Sequence, residues 1–199
     1  MPEQVTISDI DATLTTVGKP GEGGCCYTNF GASPTFPSNA TDKVSTLSGW
    51  ESLGELSTDG FTESKSVSSS ELRGWHNTVL QLGDGDESKK LKAAFVEVNR
   101  PAAAKLRYGT ENVEVGADGS VSHVKDRFGV DMTVPLLFDE LESNGYLRRT
   151  LVRKAHITGF DDIPHQRGSL LVYGMEFTVL DPGKGLAPIE VFRAKPAGA

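Results

Sequence analysis

Short runs in which apolar and polar residues alternate recur along most of this chain, and turn-forming residues separate them. The run at 170–180 is the clearest, because its apolar residues share one face: Leu171, Tyr173, Met175, Phe177 and Val179. This period is typical of a half-buried antiparallel strand. Asn144-Gly145, between two such runs, is the strongest short hairpin signal. The pattern therefore restricts the chain to a β-rich fold with many short strands.

The same reasoning places the other elements. We expect strands near residues 5–10, 50–56, 61–69, 73–82, 91–98, 113–115, 121–124, 131–141, 147–157 and 189–193, with hairpin turns at Gly83–Asp86 and Asp118-Gly119. One helix of about ten residues is expected after Asn99 as its cap. Pro101 suits the first turn, and Gly109 is a stop signal. The predicted fold class is mainly β, with two packed antiparallel sheets in a sandwich or barrel and one short flanking helix.

The length of 199 residues fits one domain. Residues 1–45 are polar and rich in turn formers, and we interpret them as an extended arm or irregular segment. The β-rich domain is assigned to residues 46–194 and a short tail to residues 195–199.

Acidic residues are concentrated at the start of the chain. The net charge is −7, and residues 1–63 contain nine acidic but only two basic residues. This balance argues against a phosphate-binding basic surface. The sequence shows neither a signal peptide nor an apolar stretch of membrane-spanning length, so we expect synthesis in a cytoplasm and no membrane binding.

Recognisable catalytic chemistry is missing from the sequence. The four histidines are scattered without metal-ligand spacing, and no nucleophile–base motif occurs. Cys25 and Cys26 are adjacent, which disfavours a disulfide between them and predicts two reduced thiols in a loop or a small packing position. We therefore expect no enzymatic activity, no metal and no cofactor. Trp50 and Trp75 are expected in the core.

An ordered set of segments carries a family resemblance. It comprises Gly49-Trp50-Glu51-Ser52-Leu53-Gly54-Glu55-Leu56 before Asp59-Gly60, then Arg73-Gly74-Trp75-His76-Asn77, then Phe95-Val96-Glu97-Val98-Asn99, and finally Leu106-Arg107-Tyr108-Gly109. Together with the closing strands, they cover residues 48–185. This order resembles the major tail tube proteins of bacteriophages with long, non-contractile tails.

The resemblance implies a structural virion protein. Six copies form a ring, and rings stack into a hollow tail tube around a tape measure protein. Tail terminator and tail tip proteins are further partners, inner strands of the six copies line the channel, and DNA passes through without specific binding. The resemblance also implies assembly in the host cytoplasm and a final location in the virion tail.

For such a tube we predict two sets of functional residues, one that faces the channel and one that contacts the next ring. We expect some of five acidic residues to face the channel and repel DNA: Glu51, Glu55, Asp59, Glu63 and Glu71. We expect the turns at Gly60 and at Gly83, Asp84, Gly85 and Asp86 to contact the next ring, as does the arm 1–45. Simple exposed strand faces and surface loops are the alternative for both sets.

Three other functions stay open at this stage. A tube-capping virion protein, such as a tail terminator or baseplate tube subunit, would share the fold. A carbohydrate-binding β-sandwich would need a cluster of exposed aromatic residues, and aromatic residues are only 8% of this chain. An enzyme would need a site assembled from distant residues.

Overall fold

The computed structural model describes residue 16 and residues 18–20, 25–83 and 85–195. The predicted strand near residues 5–10 lies outside this part of the chain. The described strands are β1 (Gly18–Pro20), β2 (Cys26–Asn29), β3 (Trp50–Gly54), β4 (Leu56–Val67), β5 (Ser70–Arg73), β6 (Val79–Gly83), β7 (Glu87–Phe95), β8 (Val113–Val115), β9 (Val121–Val124), β10 (Thr133–Glu142), β11 (Leu147–Phe160), β12 (Tyr173–Val179) and β13 (Ile189–Ala194). Helix α1 spans Pro101–Tyr108.

One antiparallel sheet of nine strands dominates the fold. Its order is β3-β2-β10-β11-β12-β7-β4, with β1 beside β10 and β13 beside β11. The strands at the two ends of this order, β3 and β4, are consecutive in the chain and are separated only by Glu55. The sheet must therefore curl back on itself.

An aromatic stack shows where the curled sheet meets itself. Phe61 on β4 stacks on Phe138 of β10 with a ring-centroid distance of 4.1 Å, although three strands separate β4 from β10 in the sheet. The layers pack face to face as in a β-sandwich. The prediction of a mainly β, sandwich-like fold with one short helix is confirmed, with 48% of the described residues in strands and 8% in helices.

Gly54 makes the corner between the two layers. Its φ is +82°, and a Cβ at this position would lie 2.5 Å from the side-chain carboxyl carbon of Glu97. The left-handed backbone favours glycine, and a larger residue would also have to displace the carboxylate of Glu97. The next residue, Glu55, donates its backbone N–H to Glu97 Oε1 at 3.0 Å, which holds the corner against the end of β7.

The curled sheet and α1 enclose the hydrophobic core. Ala102 and Ala103 of α1 are buried, and these small side chains let the helix lie close to the sheet. The largest fully buried side chains are Phe95, Phe138, Phe177, Leu53, Leu91, Leu106, Leu136, Leu137, Leu151 and Met175. Cys25 and Cys26 are free thiols buried at this core, as the prediction of reduced cysteines in packing positions requires.

The two tight turns predicted from Asn-Gly and Asp-Gly are present. Gly145 (φ +82°) connects β10 and β11, and Gly119 (φ +81°) connects β8 and β9. The helix prediction was correct in position but wrong in its cap, because Arg100 occupies the cap position and makes no side-chain capping hydrogen bond.

Two interpretations of the sequence need correction. Residues 73–82 do not form one strand: the chain turns at 74–78, between β5 and β6. The predicted arm 1–45 is not an arm throughout, because β2 lies between β3 and β10 in the large sheet. Burial of Cys26 and Thr28 explains this placement, since both side chains are fully covered.

A buried arginine fixes the long connection between β2 and β3. Arg149 on β11 is 3% exposed and forms two charged hydrogen bonds with Asp139 on β10, at 2.7 and 2.8 Å. Its remaining terminal nitrogen donates to the backbone carbonyls of Asn39 and Asp42 at 3.0 and 2.8 Å. The irregular segment 39–42 is therefore held against the sheet by one side chain.

Candidate assembly surfaces

A long hairpin extends from the body of the protein. It comprises the end of β4, the small β5–β6 sheet and the start of β7, and we call residues 65–89 the hairpin arm. Almost all of its described side chains are exposed on both faces. Its tip is the turn at 74–78, which is closed by hydrogen bonds between Gly74 N–H and Thr78 O and between Asn77 N–H and Gly74 O, both 2.9 Å. Asn77 has a φ of +59° in this turn.

Large apolar side chains are exposed along the hairpin arm. Trp75 at the tip is 100% exposed, so its predicted place in the core was wrong. Four aliphatic side chains of the arm are also exposed: Val67, Leu72, Val79 and Leu80. Exposed apolar side chains grouped in this way mark an interaction surface.

Polar and charged residues cover the outer face of the sheet formed by β4, β7, β12 and β11. Cross-strand register aligns the members of this polar face, as we name it: Thr62, Ser64, Lys90, Lys92, Glu176, Thr178, His156 and Thr158. The residues between them on the same strands, such as Leu91, Phe177 and Ile157, point into the core. The face carries both signs of charge, since Lys92 Nζ lies 2.9 Å from Asp161 and 3.5 Å from Glu176.

The five carboxylates expected to face a channel are not brought together on one face. Glu51 pairs with Lys105 of α1 at 3.0 Å. Glu55 and Asp59 line a cavity of about 490 Å³ beside the corner. Glu63 is paired in register with Leu91, on the face opposite to the polar face. Glu71 forms an ion pair with Arg73 on the hairpin arm.

The two turns expected to contact a neighbouring ring have different surroundings in the structure. Gly60 has a φ of +66° at an irregularity of β4, with open space around it. Residues 83–86 do not form an exposed hairpin tip. Gly83 pairs with Ser70 across the small sheet. The carbonyl of Asp86 accepts a hydrogen bond from Ser68 N–H at 2.9 Å. A Cβ on Gly85 would collide with the carbonyl oxygen of Ser68. Asp84 lies outside the described residues.

A second aromatic group surrounds the end of α1. The guanidinium of Arg107 lies over the rings of Tyr108, Phe160 and Tyr173, at 5.9, 5.3 and 5.4 Å from their centroids. The rings of Tyr108 and Tyr173 meet edge to face at 5.7 Å. Burial raises the pKa of Tyr173 to about 12, and its hydrogen bond with Tyr108 contributes to the rise.

This raised pKa predicts a loss of stability in strong base. The folded protein keeps a proton on Tyr173 that the unfolded chain releases near pH 10, so the free energy of unfolding should fall as the pH rises from about 10 to about 12. In an ultraviolet titration Tyr173 should ionise late, as should Tyr27, whose pKa burial also raises, and Tyr108→Phe should move the Tyr173 step to lower pH. Tyr146→Phe, as the matched control, should leave that step in place.

Other chemistry is limited in the described part of the chain. No group of three or more histidine, cysteine, aspartate or glutamate side chains there could hold a metal ion. None of the helices in that part is long and apolar enough to cross a membrane.

No protein-family model matches this chain, and no curated protein is significantly similar to it.

Proposed function

We propose that this protein is a structural subunit that assembles into a phage tail tube, as the resemblance of residues 48–185 implies. The observation that carries the proposal is the hairpin arm. An arm with a fully exposed tryptophan at its tip has no role in the packing of its own subunit. It is suited to burial against another copy, because tryptophan is among the residues that contribute most to protein interfaces.

Unpaired strand edges support repeated lateral contact. Among the described residues, β13 pairs only with β11, and β4 pairs only with β7. Each therefore presents one row of backbone N–H and C=O groups without a strand partner. Such edges invite pairing with another chain unless they are covered. Contact between copies through these edges would extend the sheet around a ring.

The polar face is the best candidate for the channel wall. Of its eight members only His156 carries a ring, so it offers little surface on which bases could stack. Lys92 is balanced by Asp161 and Glu176, and a wall with both signs of charge does not hold phosphates strongly. We therefore propose that this face, rather than the five carboxylates named from the sequence, lines the channel through which DNA passes.

The partners and location follow the same proposal. A tape measure protein would set the tube length, terminator and tip proteins would close its ends, and the assembled protein would reside in the virion tail.

Electron microscopy of the concentrated, purified protein tests the assembly. We expect rings or tubes with a central channel in negative stain. Rings that never stack would favour a tube-capping protein instead. A protein that stays monomeric, even when seeded with tail tips, would contradict the proposal.

Cysteine labelling tests which face lines the channel. In assembled tubes, Lys90→Cys should react with a small maleimide but not with a maleimide attached to a polymer too large to enter the channel. Thr46→Cys, exposed on the connection between β2 and β3, is the matched control and should react with both reagents. Equal reaction of both variants with the large reagent would place the polar face on the outside of the tube.

A further inference from the structure

A cleft opens where the connection between β2 and β3 packs on the sheet. Its volume is about 760 Å³, which falls within the roughly 300–1,000 Å³ typical of small-molecule sites. Its lining comes from segment 40–45 and from β2, β3, β10 and β11. The described lining includes no residue of the hairpin arm or of the polar face, so the cleft is separate from both surfaces.

Two aromatic side chains line this cleft. Tyr27 on β2 is paired in register with Ser52 on β3, and Trp50 lies two residues from Ser52, so all three share one face of the sheet. Tyr27 and Trp50 are therefore diagonal neighbours. The predicted place of Trp50 in the core was wrong, because it lines the cleft and is not a member of the core cluster. Its indole N–H donates to the carbonyl of Thr35 at 2.8 Å and its ring meets Phe36 edge to face, so its orientation is fixed in the subunit.

The charges of the cleft cancel. Its described lining contains three basic and three acidic side chains. Arg149 is bound to Asp139 at 2.7 Å, and the carboxylate of Asp42 accepts hydrogen bonds from the backbone N–H groups of Ser38 and Asn39. A phosphate or carboxylate ligand would need an excess of positive charge, which this lining does not offer. The cleft is therefore suited to a neutral ligand.

Hydrogen-bonding groups are available for such a ligand. The hydroxyl oxygen of Ser52 accepts the backbone N–H of Gly54 at 3.1 Å, which leaves its own proton to donate. The ammonium of Lys43 has no partner among the described residues. Glu140 Oε2 lies 3.5 Å from Arg148 Nε, too far for a strong hydrogen bond, so this carboxylate can accept another. Donors and an acceptor thus share the cleft with the two rings.

This combination matches the chemistry of a sugar. One face of a pyranose ring carries C–H groups whose hydrogens are slightly positive, and these pack favourably on the negative face of an aromatic ring. The hydroxyl groups around the sugar both donate and accept hydrogen bonds. A purely apolar ligand would instead leave polar groups of the cleft unpaired, which is costly.

We propose that this cleft binds a neutral saccharide. One pyranose face packs on Tyr27 and Trp50. The sugar hydroxyls form hydrogen bonds with Ser52, Lys43 and Glu140. The site does not depend on the proposed tail tube function, because a single subunit contains all of its parts.

Tryptophan fluorescence of the full-length protein tests the binding. Trp75→Phe leaves Trp50 as the single tryptophan, so the emission reports on the cleft. Maltose, cellobiose and N,N′-diacetylchitobiose are titrated separately into this protein. We expect at least one of them to change the emission saturably, and we expect glucose 1-phosphate to bind about tenfold more weakly than that disaccharide. No saturable change with any of the three, or tighter binding of the phosphate, would overturn the inference.

Variants of the cleft, made in the Trp75→Phe protein, locate the bound sugar. Ser52→Leu fills part of the cleft and should abolish the saturable response. Lys43→Met removes one donor from an exposed side chain and should weaken binding about fivefold. Lys154→Met, exposed on β11 outside the cleft, is the matched control and should bind like its parent. Unchanged binding in both cleft variants would place the sugar elsewhere and refute the assignment, whether or not tubes form.

Discussion

Trp75→Ala should abolish assembly at concentrations where the unchanged protein forms tubes. The indole is fully exposed in the isolated subunit, so its apolar surface can be buried only against another molecule. Truncation of a central interface tryptophan typically costs at least about 2 kcal/mol, which corresponds to roughly a 30-fold higher critical concentration for assembly. The stability of the monomer should not change, because the side chain is fully exposed.

Two measurements separate assembly from folding in this variant. Sedimentation or light scattering over a concentration series gives the critical concentration, and urea unfolding gives the free energy of the subunit. Val115→Ala on β8 is the matched control, since Val115 is also an exposed apolar residue but lies outside the hairpin arm. If both variants assemble like the unchanged protein, the tip of the arm takes no part in the contact.

The elements predicted correctly depend on local sequence. Asn144-Gly145 determines its hairpin because a tight turn between adjacent strands requires a positive φ, which glycine adopts without strain. The alternating residues of β12 identify its buried face because side chains of a strand alternate between the two faces of the sheet. Helix α1 is similarly marked by Pro101 at its start and Gly109 after its end.

The elements that were missed depend on contacts distant in sequence. Trp75 lies in a turn whose flanking strands pair only with each other among the described residues, so its surroundings are solvent. A strand pattern alone does not distinguish this from burial. Glu51 was considered for a channel wall, yet its partner is Lys105, 54 residues away on α1. Gly54 could be recognised as a bend, but its contact with Glu97, whose carboxylate lies where a Cβ would be, joins residues distant in sequence.

The charge distribution illustrates the same limit. Some of the acids Glu51, Glu55, Asp59, Glu63 and Glu71 were expected to face the channel. The strands distribute these five to an ion pair with the helix, a cavity beside the corner, the face opposite to the polar face and the hairpin arm. Counting charges along the sequence gives their number but not their positions in space. Only the register between β4, β7, β12 and β11 determines which residues share the polar face.

Arg149→Met should cause a large loss of stability. The change keeps most of the side-chain volume but leaves Asp139 without its partner, and it leaves the carbonyls of Asn39 and Asp42 without their donor. Removing one member of a buried ion pair typically costs about 3–5 kcal/mol. Urea unfolding monitored by tryptophan fluorescence measures this loss.

The neighbouring arginine provides an internal control for that experiment. Arg148 on the same strand is 40% exposed and lies 3.5 Å from Glu140, so Arg148→Met should cost less than about 1 kcal/mol. Because Arg149 also holds segment 39–42, trypsin should cleave after Lys43 faster in the Arg149→Met protein than in the Arg148→Met protein. Equal stability and equal cleavage rates in the two variants would mean that Arg149 does not fix the connection between β2 and β3.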